Sequence, residues 1–238
     1  NEVVSLGSSA YLEDCLVMAG DISFEIKDYS QAITHYRDLE QIAASKTNVL
    51  KAQLGLLESH YNRKENTDAL QYVERVLANP DVKPEIAEHA KLIKARILMN
   101  DNRLAEAKII FQELINAPGE TGPEACYSLS KCMYKLNECK ETEKQLFDCI
   151  SQFSSWEDWK FRSFLLLADV YVCLKDEFQA IATIDAILEN TKTDWVIAEA
   201  NAKKNALVLP VIETPAPAST EGEEEENPNE LFPEENND

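Results

Sequence analysis

The sequence predicts an all-α fold in which about five helical hairpins stack into an α-solenoid, closed by one further helix. Three observations support this prediction. A small residue recurs every 35 to 38 residues. Each of these small residues is followed four and seven places later by further residues of the same apolar stripe of a helix. Helix-breaking residues are few, because the chain has six glycines and nine prolines in 238 residues, and five of those prolines follow Leu209. The recurring small residues are Ala32, Ala69, Ala107, Thr142 and Ala180.

Each stripe is preceded by a second amphipathic run, so every unit is predicted to be a pair of helices. In chain order the units span about residues 8–44, 46–78, 83–116, 121–151 and 155–190. The small residues of the first helices are Gly20, Gly55, Ala95, Ser130 and Ala168. Between the helices stand short polar turns at Lys27–Asp28, Arg63–Asn66, Asn100–Asn102, Leu136–Glu138 and Lys175–Asp176. Small side chains in both helices predict that the two helices of a hairpin approach closely.

Two units depart from the shared pattern. In the second unit Gly55 stands two places too early relative to Ala69. In the fourth unit Thr142 replaces the expected alanine. These departures affect individual boundaries rather than the repeat itself.

The last element of the array is predicted to be a capping helix at residues 194–209, so that the array covers residues 1–209. Trp195, Ala198, Ala202 and Leu207 follow helical spacing there, and no second helix comes after them. One face of this helix is expected to close the core, while the other face meets water.

Residues 210–238 differ sharply in composition and are predicted to be a disordered tail. The tail has ten acidic residues and no basic ones, and its prolines oppose helix formation. Leu231–Pro233 is its only apolar cluster, which is either a short docking motif or simply part of a chain end. Because the chain begins with Asn1, we expect it to be a fragment or a processed form.

From about Ser9 to Asn190 the units resemble tetratricopeptide (TPR) repeats. The fit is best in the first and fifth units, with Tyr29, Ala32 and Tyr36 in the first. The resemblance implies a right-handed α-solenoid with a groove for proteins or peptides. The stretches 159–172 and 176–184 also look like the carboxy-terminal part of long repeat proteins of Bacteroidetes-type bacteria. That narrower resemblance implies a bacterial protein of the cell envelope or periplasm, with the cytoplasm still open.

The charge balance excludes some partners. The formal net charge is −20, and after the tail's ten acidic residues are removed from the total of 43, the array retains 33 acidic and 23 basic residues. Nucleic acid is therefore not expected as a partner, whereas a cationic protein is favoured. The longest apolar run, near Phe164–Ala168, is too short to predict membrane insertion.

Six cysteines, at positions 15, 126, 132, 139, 149 and 173, allow three interpretations. Their closest spacing of six residues does not suit a structural zinc site. We interpret them as small buried apolar thiols. The alternative is a cross-helix disulfide within the fourth hairpin in an oxidising compartment.

No catalytic pattern appears, so we expect the chain not to be an enzyme and to hold no cofactor. His35, His60 and His89 lie in separate units without a nucleophile and an orienting group nearby. The sequence also has no glycine-rich phosphate loop and no calcium loop.

The leading hypothesis is a protein-interaction scaffold that binds a peptide or partner protein along the concave face formed by the first helices. An alternative is the regulatory repeat segment of a larger enzyme whose catalytic domain lies upstream. A helical solute-binding protein is disfavoured because the turns are too short to build a pocket, and self-association stays open. The candidate groove residues are Asp21, Gln53, Lys91, Lys94, Tyr127 and Lys131.

Overall fold

A computed structural model describes residues 10–208, and all eleven regular elements in this range are α-helices. In chain order they are α1 (Ala10–Glu25), α2 (Tyr29–Ile42), α3 (Lys46–Asn62), α4 (Asn66–Leu77), α5 (Pro84–Asn100), α6 (Leu104–Leu114), α7 (Thr121–Lys135), α8 (Cys139–Gln152), α9 (Glu157–Cys173), α10 (Glu177–Asn190) and α11 (Asp194–Val208). The first ten helices pair as five hairpins, and α11 follows the fifth. The predicted all-α repeat fold is confirmed.

The helices are arranged as a linear stack, because each one packs mainly on its neighbours in the chain. We call α1, α3, α5, α7 and α9 the first helices and α2, α4, α6, α8 and α10 the second helices. Several first helices also contact one another across hairpins, as in the pairs α1 with α3, α5 with α7, and α7 with α9; α11 continues this layer by packing on α9. The stack therefore has a layer of first helices that extends to α11.

Five turns with the same backbone conformation join the helices of the hairpins. Each turn has one non-glycine residue in the left-handed region, with φ between 60 and 63°. The amide of the next residue donates to the carbonyl oxygen five residues back at 2.8–3.0 Å, which satisfies the end of the first helix. These left-handed residues are Lys27, Lys64, Asn102, Asn137 and Lys175. They lie within the polar turns that the sequence predicts.

The predicted stripe of each second helix forms the core. All fifteen stripe residues are at most 3% exposed, and the order is small, large, large in every unit except the fourth, which ends in Cys149. Complete burial of a large apolar side chain stabilises a fold by about 1.5–3 kcal/mol, so these positions carry much of the packing energy. The stripes are Ala32, Tyr36 and Leu39; Ala69, Val73 and Val76; Ala107, Phe111 and Leu114; Thr142, Leu146 and Cys149; and Ala180, Ile184 and Ile187.

Thr142 fits this buried stripe because its hydroxyl has an acceptor. Thr142 Oγ1 donates to the Glu138 carbonyl oxygen at 2.7 Å, one helical turn earlier. The departure in the fourth unit therefore leaves no buried polar group unsatisfied at this position.

The first hairpin shows why glycine occurs at two places in the first helices. The Tyr36 ring lies between Gly20 of α1 and Gly55 of α3. A Cβ atom added at Gly20 would lie 2.5 Å from the ring, and one added at Gly55 would lie 2.4 Å from it. The two glycines therefore let α1 and α3 approach the same aromatic side chain from opposite sides.

Two disulfides correct the interpretation of the cysteines as buried thiols. Cys126 of α7 is bonded to Cys149 of α8, with Cα atoms 5.8 Å apart, and Cys139 is bonded to Cys173 across 6.4 Å. The first bond is the cross-helix pair left open by the sequence, and the second joins α8 to α9 of the next hairpin. Sequence spacing alone did not reveal this contact between hairpins.

Helix α11 closes one end of the stack. Val196 and Ala200 are fully buried against Phe161, Ile184 and Ile187 of the last hairpin. The opposite side of α11 exposes Ala198, Asn201 and Asn205, among other small and polar residues.

The predicted tail at 210–238, including Leu231–Pro233, lies outside the described residues. The predicted boundaries at Ser8 and Leu209 do as well. Across residues 10–208, no helix combines the length and the apolar character needed to cross a membrane.

Candidate functional site

Four of the six candidate groove residues are paired with nearby side chains of the array. Asp21 accepts a hydrogen bond from the Tyr36 hydroxyl at 2.5 Å and forms an ion pair with Lys51 at 2.7 Å. Gln53 donates to a carboxylate oxygen of Glu40 at 3.2 Å. These two residues join neighbouring helices of the first two hairpins, so each already has a partner within the array.

The two lysine candidates of the third hairpin are also paired. Lys91 lies 2.7 Å from Glu113 of α6, and Lys94 lies 2.6 Å from Glu74 of α4. Their ion pairs bridge α5 to the helices before and after it. Because both charges are compensated, these lysines are poorer candidates for binding an anionic group.

The remaining two candidates, Tyr127 and Lys131, lie in a cleft of about 350 Å³ between α7, α9 and α11. We call this space the first-helix cleft. Its walls come from the layer of first helices and its continuation in α11. The lining residues are Tyr127, Lys131, Tyr134, Lys135, Arg162, Leu165, Leu166, Asp169, Glu199 and Lys203.

A row of cations and aromatic rings borders the cleft. Lys131 Nζ lies 5.8 Å from the centre of the Tyr127 ring, and that ring lies 5.7 Å from the ring of Trp159. The Arg162 guanidinium then lies between two indoles, 5.5 Å from Trp159 and 4.8 Å from Trp195. Cation–π contacts of this kind orient a guanidinium without neutralising its charge.

The positive charge of the cleft is only partly compensated. Lys203 Nζ contacts both carboxylate oxygens of Asp169 at 2.6 Å, so this pair is neutral. Among residues 10–208, by contrast, Lys131, Lys135 and Arg162 have no carboxylate within ion-pair distance. Three unpaired cations therefore share the cleft with one unpaired carboxylate, that of Glu199. The local charge is positive although the whole chain is strongly acidic.

Two tyrosines supply hydroxyl donors to the cleft. Burial raises the pKa of Tyr127; Arg162 opposes this change, and the carboxylates of Glu199 and Asp169 reinforce it. Burial likewise raises the pKa of Tyr134. Both phenols are therefore protonated at neutral pH and can donate to a carboxylate or a carbonyl oxygen.

The sequence contains a pattern that indicates the α11 side of the first-helix cleft, which the predicted groove residues do not cover. An Asp-Trp pair opens α9 at Asp158–Trp159 and recurs at Asp194–Trp195, 36 residues later. This spacing matches the repeat period, so the two tryptophans occupy similar places on successive helices of the first-helix layer. Because the sequence predicts α11 only as a cap, Trp195, Glu199 and Lys203 are not among the predicted groove residues.

One cluster outside the cleft has metal-ligand chemistry. The ligand atoms of His60, Glu65 and Asp68 all lie within 4.8 Å of one another. Glu65, however, uses one carboxylate oxygen for His60 Nδ1 at 2.6 Å and the other for Arg63 Nε at 2.8 Å. The hydrogen bond with His60 is the main cause of the lowered pKa of Glu65. We interpret the cluster as a set of contacts that fixes the second hairpin turn.

A second groove, of about 710 Å³, lies between α8, α9 and α10 and has mostly apolar walls that include Phe147, Phe161 and Phe164. Phe147 is 49% exposed there. This groove offers hydrophobic contact and has one charged lining residue, Lys160. It is therefore less specific than the first-helix cleft.

Comparison with known proteins supports the fold. No protein-family model matches the chain, and no curated protein matches it. The crystal structure of the apo form of RapI is similar to it, with a TM-score of 0.73 and 14% sequence identity. The similarity covers 84% of this chain, which spans 60% of the RapI chain. At this identity the likeness shows the fold alone, a TPR-like helical repeat.

Proposed function

We propose that the chain is a non-catalytic protein-interaction scaffold that binds a peptide or a partner protein on its layer of first helices. We propose further that this layer is the concave face of the array. The fold supports the proposal because stacked hairpins present a long continuous surface for recognition. The similarity to RapI supports the fold on which this argument depends.

The first-helix cleft is the observation that carries this proposal. It combines the unpaired cations Lys131, Lys135 and Arg162 with aromatic walls and two phenol donors. Aromatic and arginine side chains are enriched at the centres of protein interfaces. An extended segment with carboxylates and an apolar or aromatic side chain suits this combination. The cleft therefore favours an acidic segment, although the net charge of the chain favours a cationic partner.

A peptide-display selection on the purified chain tests the proposal. We expect enrichment of peptides with acidic residues near an aromatic or branched apolar residue. Their affinity should fall at least about tenfold in the variant Arg162→Ala, because truncating one partner of a desolvated charge pair at an interface costs about 2–5 kcal/mol. Affinity should also fall as salt rises, since the attraction between exposed charges is screened.

Lys144→Ala is the matched control, because it removes an exposed lysine of the second helix α8, outside the layer of first helices. Binding by this variant should remain close to that of the unmodified chain. A selection without enriched peptides, or equal loss of binding in both variants, would contradict the proposal.

A further inference from the structure

Helix α1 carries an exposed apolar stripe at the end of the stack opposite α11. Tyr11 is 82% exposed, Met18 56%, Ile22 59% and Ile26 71%, and Cys15 is also exposed. Tyr11, Cys15, Met18 and Ile22 follow one another at spacings of three or four, so they lie on one face of α1, and Ile26 follows four places later in the turn after the helix. No other helix of the described range packs on this face. We call it the α1 face.

The repeat itself shows what covers the corresponding face elsewhere. Counting back from the left-handed turn residue of each hairpin gives the positions equivalent to Cys15, Met18 and Ile22. In all four later first helices, these positions are buried. They are Ala52, Gly55 and Ser59 in α3; Ala90, Ile93 and Ile97 in α5; Ala125, Ser128 and Cys132 in α7; and Ser163, Leu166 and Val170 in α9.

The cover at these positions is the second helix of the preceding hairpin. Ala52 packs in one cluster with the α2 stripe, and Gly55 lies against the Tyr36 ring. Ile93 and Ile97 pack with the α4 stripe. In α7 and α9 the corresponding residues pack with α6 and α8. The α1 face thus continues an interface that occurs four times within the chain.

Charge distinguishes between possible occupants of the α1 face. Asp14 and Glu25 flank the stripe, both are exposed, and α1 contains no lysine or arginine. Pairing of two α1 faces from two copies would bring like charges together, which is unfavourable. The other end of the stack offers no match either, since the outer side of α11 exposes small and polar residues.

We propose that the α1 face docks a helix of the second-helix type from another helical-repeat hairpin, with basic residues beside its apolar stripe. The stripe of this helix has a small residue followed by large apolar residues four and seven places later. Its lysines or arginines lie opposite Asp14 and Glu25. This inference does not depend on the first-helix cleft, which lies between α7, α9 and α11.

A defined helical probe tests the proposal on the full chain. The probe is a hydrocarbon-stapled peptide with the sequence of α2, Tyr29–Ile42, in which the positions of Ser30 and Glu40 carry lysine. In the protein these two positions contact Arg63 and Gln53, the equivalents of Ile26 and Leu16. It presents the stripe that covers α3 in the protein, and the staple offsets the low helicity of a short peptide. Fluorescence anisotropy should show saturable binding, weakened at least tenfold by the double substitution Met18→Glu/Ile22→Glu. The same peptide with its original Ser30 and Glu40 should bind more weakly than the lysine form.

Two controls keep the result interpretable. Ile109→Glu changes an isoleucine of α6 that is 63% exposed, and it should leave probe binding unchanged. Circular dichroism should show that Met18→Glu/Ile22→Glu keeps its helicity, because both side chains lie largely in solvent.

Three results would overturn the proposal: no binding of either peptide, binding that the α1 substitutions do not change, or a dimer in light scattering that these substitutions abolish. The last result would assign the α1 face to a second copy of the chain. Failure of this test would leave the selection on the first-helix cleft unaffected, since the two surfaces share no residue.

Discussion

The Tyr36 side chain shows how one residue couples three helices. Its ring fills the space above Gly20 and Gly55, and its hydroxyl donates to Asp21, which in turn pairs with Lys51. Burial and the nearby Asp21 carboxylate raise the pKa of Tyr36 far above its usual range, so the phenol remains a donor throughout the neutral range. The residue therefore contributes both packing and a buried polar link.

Substitution Gly55→Ala should destabilise the fold by up to about 2 kcal/mol. The added methyl group would overlap the Tyr36 ring at a cost of about 1–3 kcal/mol, and the gain of about 1 kcal/mol in helix propensity offsets part of this cost. Urea unfolding measures the change. In a Tyr36→Leu background the same substitution should be neutral or stabilising, and an unchanged penalty there would show that the ring is not its cause.

The same glycines explain what sequence reasoning could and could not locate. The repeat spacing predicts a small residue in each first helix, and it assigns Gly20 and Gly55 to the same position of successive units. Counted from the turns at Lys27 and Lys64, the equivalent of Gly20 is Leu57, and Gly55 matches Met18. The apparent shift of two places arises because the two glycines contact opposite sides of one ring. A one-dimensional alignment does not contain that contact.

At the scale of elements, the turns were more predictable than the contacts between hairpins. A tight turn between two helices requires a residue in the left-handed region and exposed polar groups. Both requirements favour particular residue types within a few positions, so the sequence predicts the turns locally. The disulfide between Cys139 and Cys173 depends instead on how α8 and α9 pack. The cleft depends in the same way on α11 continuing the first-helix layer. Residues distant in sequence determine both features.

Opening the bridge between α7 and α8 should weaken the carboxy-terminal hairpins. The substitution pair Cys126→Ala/Cys149→Ala removes a cross-link that spans 23 residues. In the chain-entropy model such a cross-link contributes about 3 kcal/mol to the free energy of unfolding. Guanidinium unfolding of this variant and of the unmodified chain measures the loss. Equal stabilities would show that this bridge does not constrain the unfolded chain.

Thiol labelling checks the bonding pattern independently. In the folded, unreduced protein at neutral pH, iodoacetamide should modify Cys15 and leave Cys132 unmodified, because burial raises the pKa of the Cys132 thiol to about 11. Unfolding without reductant should expose only these two thiols to labelling. Modification of more than two cysteines under those conditions would contradict the two disulfides.

At the scale of the whole molecule, the linear stack makes stability depend on position. Each hairpin contacts mainly its neighbours, so a change at one end should affect nearby helices first. The polar outer side of α11 and the apolar α1 face give the two ends different chemistry. The repeat period predicted this architecture, because a single small unit cannot bury its own apolar surface.

Substitution Ala200→Asp should loosen the end of the array near α11. It places a carboxylate at a fully buried position beside Phe161 and Ile187, and such burial is costly. Hydrogen exchange read by mass spectrometry should accelerate in α9 and α10 while α2–α4 remain protected. Ala202→Asp is the control on the same helix, since Ala202 is exposed. Uniform acceleration along the chain would indicate one cooperative unit instead.

The overlapping disulfides also determine how the molecule responds to mechanical tension. A pull on both ends can lengthen α1–α6 by peeling hairpins apart, because no covalent cross-link interrupts that stretch of the described chain. Between Cys126 and Cys173, force passes through the sulfur bonds and bypasses most of the backbone. Under oxidising conditions the array therefore has a stiff cross-linked segment between Cys126 and Cys173, whereas α1–α6 before it and α10 and α11 after it can be extended.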